Sequence, residues 1–236
     1  MKMPEQIEPQ LTRREAWLGR CYLPVHIFVL PLLLAIFPRV TGIPLSPVRS
    51  NVLYYAISAV YVLVCMAPFL RRTLEPFCEY PGWCVWSAVS GYFLYIFFSW
   101  IVSLAAVLLA GENASPPGNA VIAELLRANP RAIFPVVALL APLVEETLFR
   151  GALFGGALAG GRRITGYVVS TVLFALYHVW QLPFTGYGWG ALLYGLIYLP
   201  AGLVLARTYE MSGSLWTSML LHAVINTLSM LVLLRM

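Results

Sequence analysis

Six side chains in this sequence carry chemistry that their surroundings do not explain. Glu145, Glu146 and Arg150 lie in Ala141-Pro142-Leu143-Val144-Glu145-Glu146-Thr147-Leu148-Phe149-Arg150-Gly151, a stretch otherwise apolar enough for a membrane. His178 falls in a second apolar run, and His222 and Asn226 in a third. Ionisable groups at bilayer depth are costly and mark functional sites. In a helix Glu146 and Arg150, four apart, share a face, and acid before base is the favourable order. Glu145 is turned by about 100° from Glu146 and lacks that partner. One carboxylate is thus neutralised and one is left over, and the leftover one is expected to do the chemistry. Phe174 with His178, and His222 with Asn226, are also four apart and share faces.

A carboxylate and an imidazole deprotonate water. Imidazole and carboxamide donors hold a developing oxyanion. The set therefore suits amide hydrolysis, and it equally matches Zn²⁺ ligation through Glu145, His178 and His222. Each residue also has a plain structural reading. Glu146 with Arg150 makes an ion pair, and a lone histidine or Asn226 makes an interhelical hydrogen bond. The zinc-protease pattern of two histidines around a glutamate is absent, and so is a G-x-S-x-G elbow. Ser212-Gly213-Ser214 reads as a turn. The chain contains no aspartate, which excludes paired-aspartate proteolysis and aspartate-based ion relays.

The elements that must position these groups follow from composition. The 236 residues are 60% hydrophobic and 11% charged, with a mean hydropathy of +0.80. A soluble domain carries roughly 25% charge, so this is a polytopic membrane protein. The net charge of +5 fits arginines anchoring loops, and no basic run is long enough for nucleic acid. Cys21, Cys65, Cys78 and Cys84 show neither metal spacing nor a disulfide framework and read as apolar packing residues.

Apolar runs predict spans at 22–37, 52–70, 84–110, 132–158, 164–180, 191–206 and 215–234. The fold class is therefore an all-α bundle of about seven transmembrane helices, six to eight, plus a short interfacial helix. That helix runs from Asn119 to Ala128 after the loop 111–118, or else extends the next span. Residues 1–21 read as a cytoplasmic N-terminal tail with a short surface helix around Leu11–Leu18. Residues 22–236 form one transmembrane domain. No internal repeat is evident. Nine basic residues against five place the N-terminus in the cytoplasm. Pro142 lacks an N–H and is expected to free the carbonyl of Ala138. Glu145 and His222 fall near mid-span, whereas His178 falls nearer an outer end. The uncharged loop 181–190, with Phe184, Tyr187 and Trp189, is a candidate gate or an aromatic interface anchor.

Glu145-Glu146-x-x-x-Arg150, Phe174-x-x-x-His178 and His222-x-x-x-Asn226, in this order on successive spans, resemble the CPBP family of type II CAAX prenyl endopeptidases and bacteriocin-processing or immunity-associated membrane proteins. The resemblance covers about residues 130–230, the expected catalytic core. It implies an intramembrane endopeptidase in which Glu145 activates water with His178, His222 and Asn226 stabilise the oxyanion, and Glu146 pairs with Arg150. Such families have been described both as metalloproteases and as metal-free glutamate proteases. Asparagine is not a usual zinc ligand, which favours the metal-free form and keeps zinc as the alternative. The implied partners are membrane lipids and a peptide or membrane-protein substrate, prenylated or not. The rival functions are a non-catalytic peptide-binding immunity or scaffold protein and a proton- or metal-coupled transporter.

Overall fold

The structure is a computed structural model that describes residues 11–110 and 117–235. It is all-helical, without strands among the described residues, and seven helices are long and apolar enough to cross a membrane. The spans are Arg13–Thr41, Pro47–Cys65, Pro81–Ala105 (continuing as helix to Ala110), Pro130–Leu158, Arg163–Thr185, Trp189–Ser212 and Leu215–Leu233. Of the expected loop 111–118, residues 111–116 lie outside the described residues and 117–118 belong to a helix.

The first span begins earlier than its apolar run. A capping box between Thr12 and Glu15 starts the helix at Arg13, so residues 13–21 of the expected tail are helical and continuous with the span. Glu15 is held by Arg72 at the end of the helix Ala67–Arg72. The segment Pro117–Ala128 is a helix of its own, not an extension of the next span. Asn129 interrupts the chain and its side chain caps Ala132 N–H at 3.1 Å. Leu125 and Leu126 of that helix pack with Ile133, Ala138 and Met230.

The fourth span is the centre of the bundle. It packs against the first, second, fifth, sixth and seventh spans, and 61% of its most apolar window is buried. The corresponding figure for the third span is 6%, so that helix faces mostly outward. The cysteines depart from the packing expectation, since Cys84 is buried but Cys21 and Cys78 are exposed. Ser212-Gly213-Ser214 is a turn, with Gly213 at φ 65° ending a helix.

Two prolines shape the fourth span. Pro135 is followed by a wide π turn over Val136–Leu140, and Pro142 then stands near the start of the next α turn. In a π turn the amide five residues on is the donor, as the bond from Ala141 N–H to Val136 O shows. The next donor in that register belongs to Pro142, which has none. The carbonyl left over is therefore that of Val137. The expectation of Ala138 assumed α register and is off by one residue for that reason. The first span repeats the device. Pro24 precedes a π turn over Val25–Val29, Pro31 follows, and the carbonyl without a backbone donor is that of His26. A freed carbonyl at bilayer depth needs a side-chain donor. Asn226 answers Val137 at 2.9 Å, and Tyr54 answers His26 at 3.1 Å.

Candidate active site

Glu145 ends the α turn that Pro142 starts, and a second wide turn runs from Glu146 to Gly155. Both glutamates and Arg150 are buried. Glu146 accepts from Arg150 Nη1 at 2.9 Å, the expected four-residue pair. It is held further by Ser218 Oγ at 2.5 Å and His222 Nδ1 at 2.8 Å. Arg150 also donates to Gly202 O at 3.3 Å and lies 4.1 Å above the Phe174 ring. Packing at 202 is tight, because a Cβ there would stand 3.0 Å from Thr171 Cγ2 and 3.2 Å from its backbone.

Glu145 uses its two oxygens differently. Oε1 accepts from the Tyr55 hydroxyl at 2.8 Å. Oε2 lies 3.9 Å from His178 Nε2 and 3.8 Å from His222 Nε2. The partner that the fourth span does not supply to Glu145 thus comes from the second span. His178 caps the helix Arg163–Tyr177, which ends at the level of Glu145, so the expected mismatch in depth is absent. Its ring is stacked on Tyr198, with centroids 4.2 Å apart.

The hydrogen bonds assign the ring protons. His178 Nδ1 is 2.8 Å from Phe174 O, a carbonyl that can only accept. His222 Nδ1 faces the Glu146 carboxylate, which also accepts. Both rings therefore carry hydrogen on Nδ1 and, when neutral, turn a free Nε2 towards Glu145. The gap fits a water, which hydrogen-bonds at about 2.8 Å to each neighbour. A metal would draw the same atoms closer. Ligand bonds of about 2.0–2.1 Å put tetrahedral neighbours roughly 3.4 Å apart. Among the described residues, no three of His, Cys, Asp and Glu have metal-site spacing. Asn226 is placed apart from this gap in one respect, since one amide N–H is spent on Val137 O.

Two contributors escaped the sequence reading. Tyr55 is one of 13 tyrosines in the chain, and its contact with Glu145 spans 90 residues, which leaves no periodic trace. His26, the third histidine, is fully buried and bonded to Ser58, Tyr54 and Tyr177. A histidine bracketed by Pro24 and Pro31 in an apolar run was the available signal.

Fold and geometry together define a multi-pass membrane protein with one buried acid–imidazole centre. Residues 127–228 match the family model described as Rce1-like: Type II CAAX prenyl endopeptidase Rce1-like. The matched segment, rather less than half of the chain, is thus similar to type II CAAX prenyl endopeptidases, which supports the CPBP/CAAX resemblance read from the motifs. No curated protein and no solved structure matches the chain. All six residues singled out from sequence lie inside the matched segment, whereas Tyr55 and His26 lie outside it.

Proposed function

We propose that this protein is an intramembrane endopeptidase that cleaves a peptide bond in a membrane-associated peptide or protein, using water activated by Glu145 and His178. One observation carries the reading. Glu145 Oε2 faces two imidazole nitrogens, at 3.9 and 3.8 Å, across a gap that one water fills. In the reaction Glu145 takes one proton from water while His178 Nε2 accepts the other hydrogen bond. The hydroxide adds to the carbonyl carbon, and the C=O electron pair moves to oxygen. Donors for that oxyanion are the second amide N–H of Asn226 and His222 carrying a proton on Nε2. Glu145, Glu146 and Arg150 sum to one negative charge, so a proton on His222 leaves the site neutral. Glu145 then returns its proton to the departing nitrogen as the C–N bond breaks.

The supported substrate class is a peptide at the membrane surface, prenylated or not. The excess of arginines at one set of loop ends supports a cytoplasmic N-terminus. The test is cleavage of a peptide library, with prenylated and plain members, by purified protein in detergent. Glu145→Ala and His178→Ala abolish cleavage while the protein stays folded, and a chelator leaves it unchanged. Full cleavage by Glu145→Ala would overturn the reading. Loss on chelation, restored by one added metal, would replace the metal-free mechanism with a zinc one.

A further inference from the structure

Four more hydroxyls and a third imidazole lie behind Glu145, and the motifs in the matched segment do not account for them. Tyr55 has one hydroxyl proton, and Glu145 Oε1 takes it at 2.8 Å. The contact of 3.2 Å between Tyr55 and Tyr177 is therefore donated by Tyr177. With its own proton spent, the Tyr177 oxygen must accept. His26 Nε2 lies 3.2 Å from it.

At the far end one proton assignment directs every donor of the line towards Glu145. Tyr22 donates to Ser58 Oγ at 3.1 Å, and Ser58 in turn stands 2.9 Å from His26 Nδ1. Ser58 gives its proton to Nδ1, so the ring hydrogen is on Nε2 and points towards Tyr177. Tyr54 is 2.9 Å from the same nitrogen and 3.1 Å from the Tyr177 hydroxyl, and its own proton answers the freed His26 carbonyl. Every proton in the cluster is used once, and all of them on the line through Tyr22, Ser58, His26, Tyr177 and Tyr55 point towards Glu145.

We infer that Tyr55, with Tyr177 and His26 in series behind it, is a positioning residue for Glu145. The line holds Oε1 and thereby aims Oε2 at the two catalytic imidazoles. This rests on the protease reading above and extends the site to the first two spans. Hydrogen bonds in a dry chain polarise one another, so the strength of the last bond depends on those behind it.

The experiment is a double-mutant cycle in purified full-length protein, read on the fastest-cleaved member of the peptide library, with Glu145→Gln run beside it. Tyr55→Phe is expected to lower kcat roughly 10- to 100-fold, with KM and thermal unfolding near wild type. Tyr177→Phe lowers kcat by a smaller factor, about 3- to 10-fold, and the double variant is no worse than Tyr55→Phe alone. Tyr54→Phe, which touches the line at His26 and Tyr177 but passes its own proton to the His26 carbonyl, changes kcat less than Tyr177→Phe. Multiplying effects in the double variant, or a wild-type kcat in either single variant, would overturn the series arrangement. Should Tyr55→Phe not fold, Tyr177→Phe against Tyr54→Phe still decides, because neither hydroxyl touches Glu145. If Glu145→Gln cleaves normally, the protease reading itself has failed. If Glu145→Gln is dead while the tyrosine variants are normal, only the positioning line is lost.

Discussion

Pro24 and Pro31 stand seven residues apart in the first span, as do Pro135 and Pro142 in the fourth. Each pair brackets a five-residue π turn, and each leaves one carbonyl to a side chain from another span. The outcomes diverge beyond the second proline. Three and four residues past Pro142 stand Glu145 and Glu146, both buried, and the wide turns continue to Gly155. Past Pro31 stand Leu34 and Ala35, neither of them buried, and the helix is regular to Thr41. Paired prolines therefore open a backbone and call for a polar neighbour. They frame the candidate active site only where ionisable side chains come next, at the depth of the opening.

The comparison breaks first at Glu145. Glu145→Gln keeps the shape and the Tyr55 contact but removes the base, and peptide cleavage should fall roughly 10³-fold. Next comes Glu146→Gln, which leaves buried Arg150 without its counter-charge. A stability loss of about 3–5 kcal/mol is expected, read as a lower denaturation midpoint and poor yield. The first span's pair, Glu15 with Arg72, sits at the helix start with Arg72 partly exposed, so its loss should cost less.

The prolines themselves give a smaller and unequal effect. Pro142→Ala supplies an N–H that competes with Asn226 for Val137 O and shifts Glu145, and kcat should drop roughly 10- to 100-fold. Pro31→Ala makes the matching change at His26, and kcat should stay within about threefold. Equal losses would mean that the two kinks serve catalysis alike. The smallest effect on stability is expected from removing the donors. Asn226→Leu and Tyr54→Phe should each cost about 0.6–1.7 kcal/mol in thermal unfolding, typical of an interhelical hydrogen bond.

Much of this was legible in the sequence because it is local. Apolar runs gave seven spans, and a four-residue spacing gave Glu146 with Arg150. The three short motifs hold Glu145, Glu146, Arg150, His178 and His222, which the fold brings into contact. Nonlocal pairing was not legible. Tyr55 meets Glu145, and Tyr177 meets His26, through tertiary packing that no periodicity encodes. The freed carbonyl was placed one residue off because prolines were read against α register, and the fold uses a π turn. The helix expected around Leu11–Leu18 is present from Arg13, but it is continuous with the first span instead of separate, a join that hydropathy, seeing only polar residues, does not reveal.

The two openings also differ in when they can close. The donor for His26 O is 28 residues along the chain, in the next span to be made. The donor for Val137 O is 89 residues along, in the seventh. A chain emerging from its N-terminus can settle the first kink almost at once. The fourth span must wait with a bare carbonyl until Asn226 arrives, so the seventh helix, synthesised after the other six, is the one that completes the reaction centre.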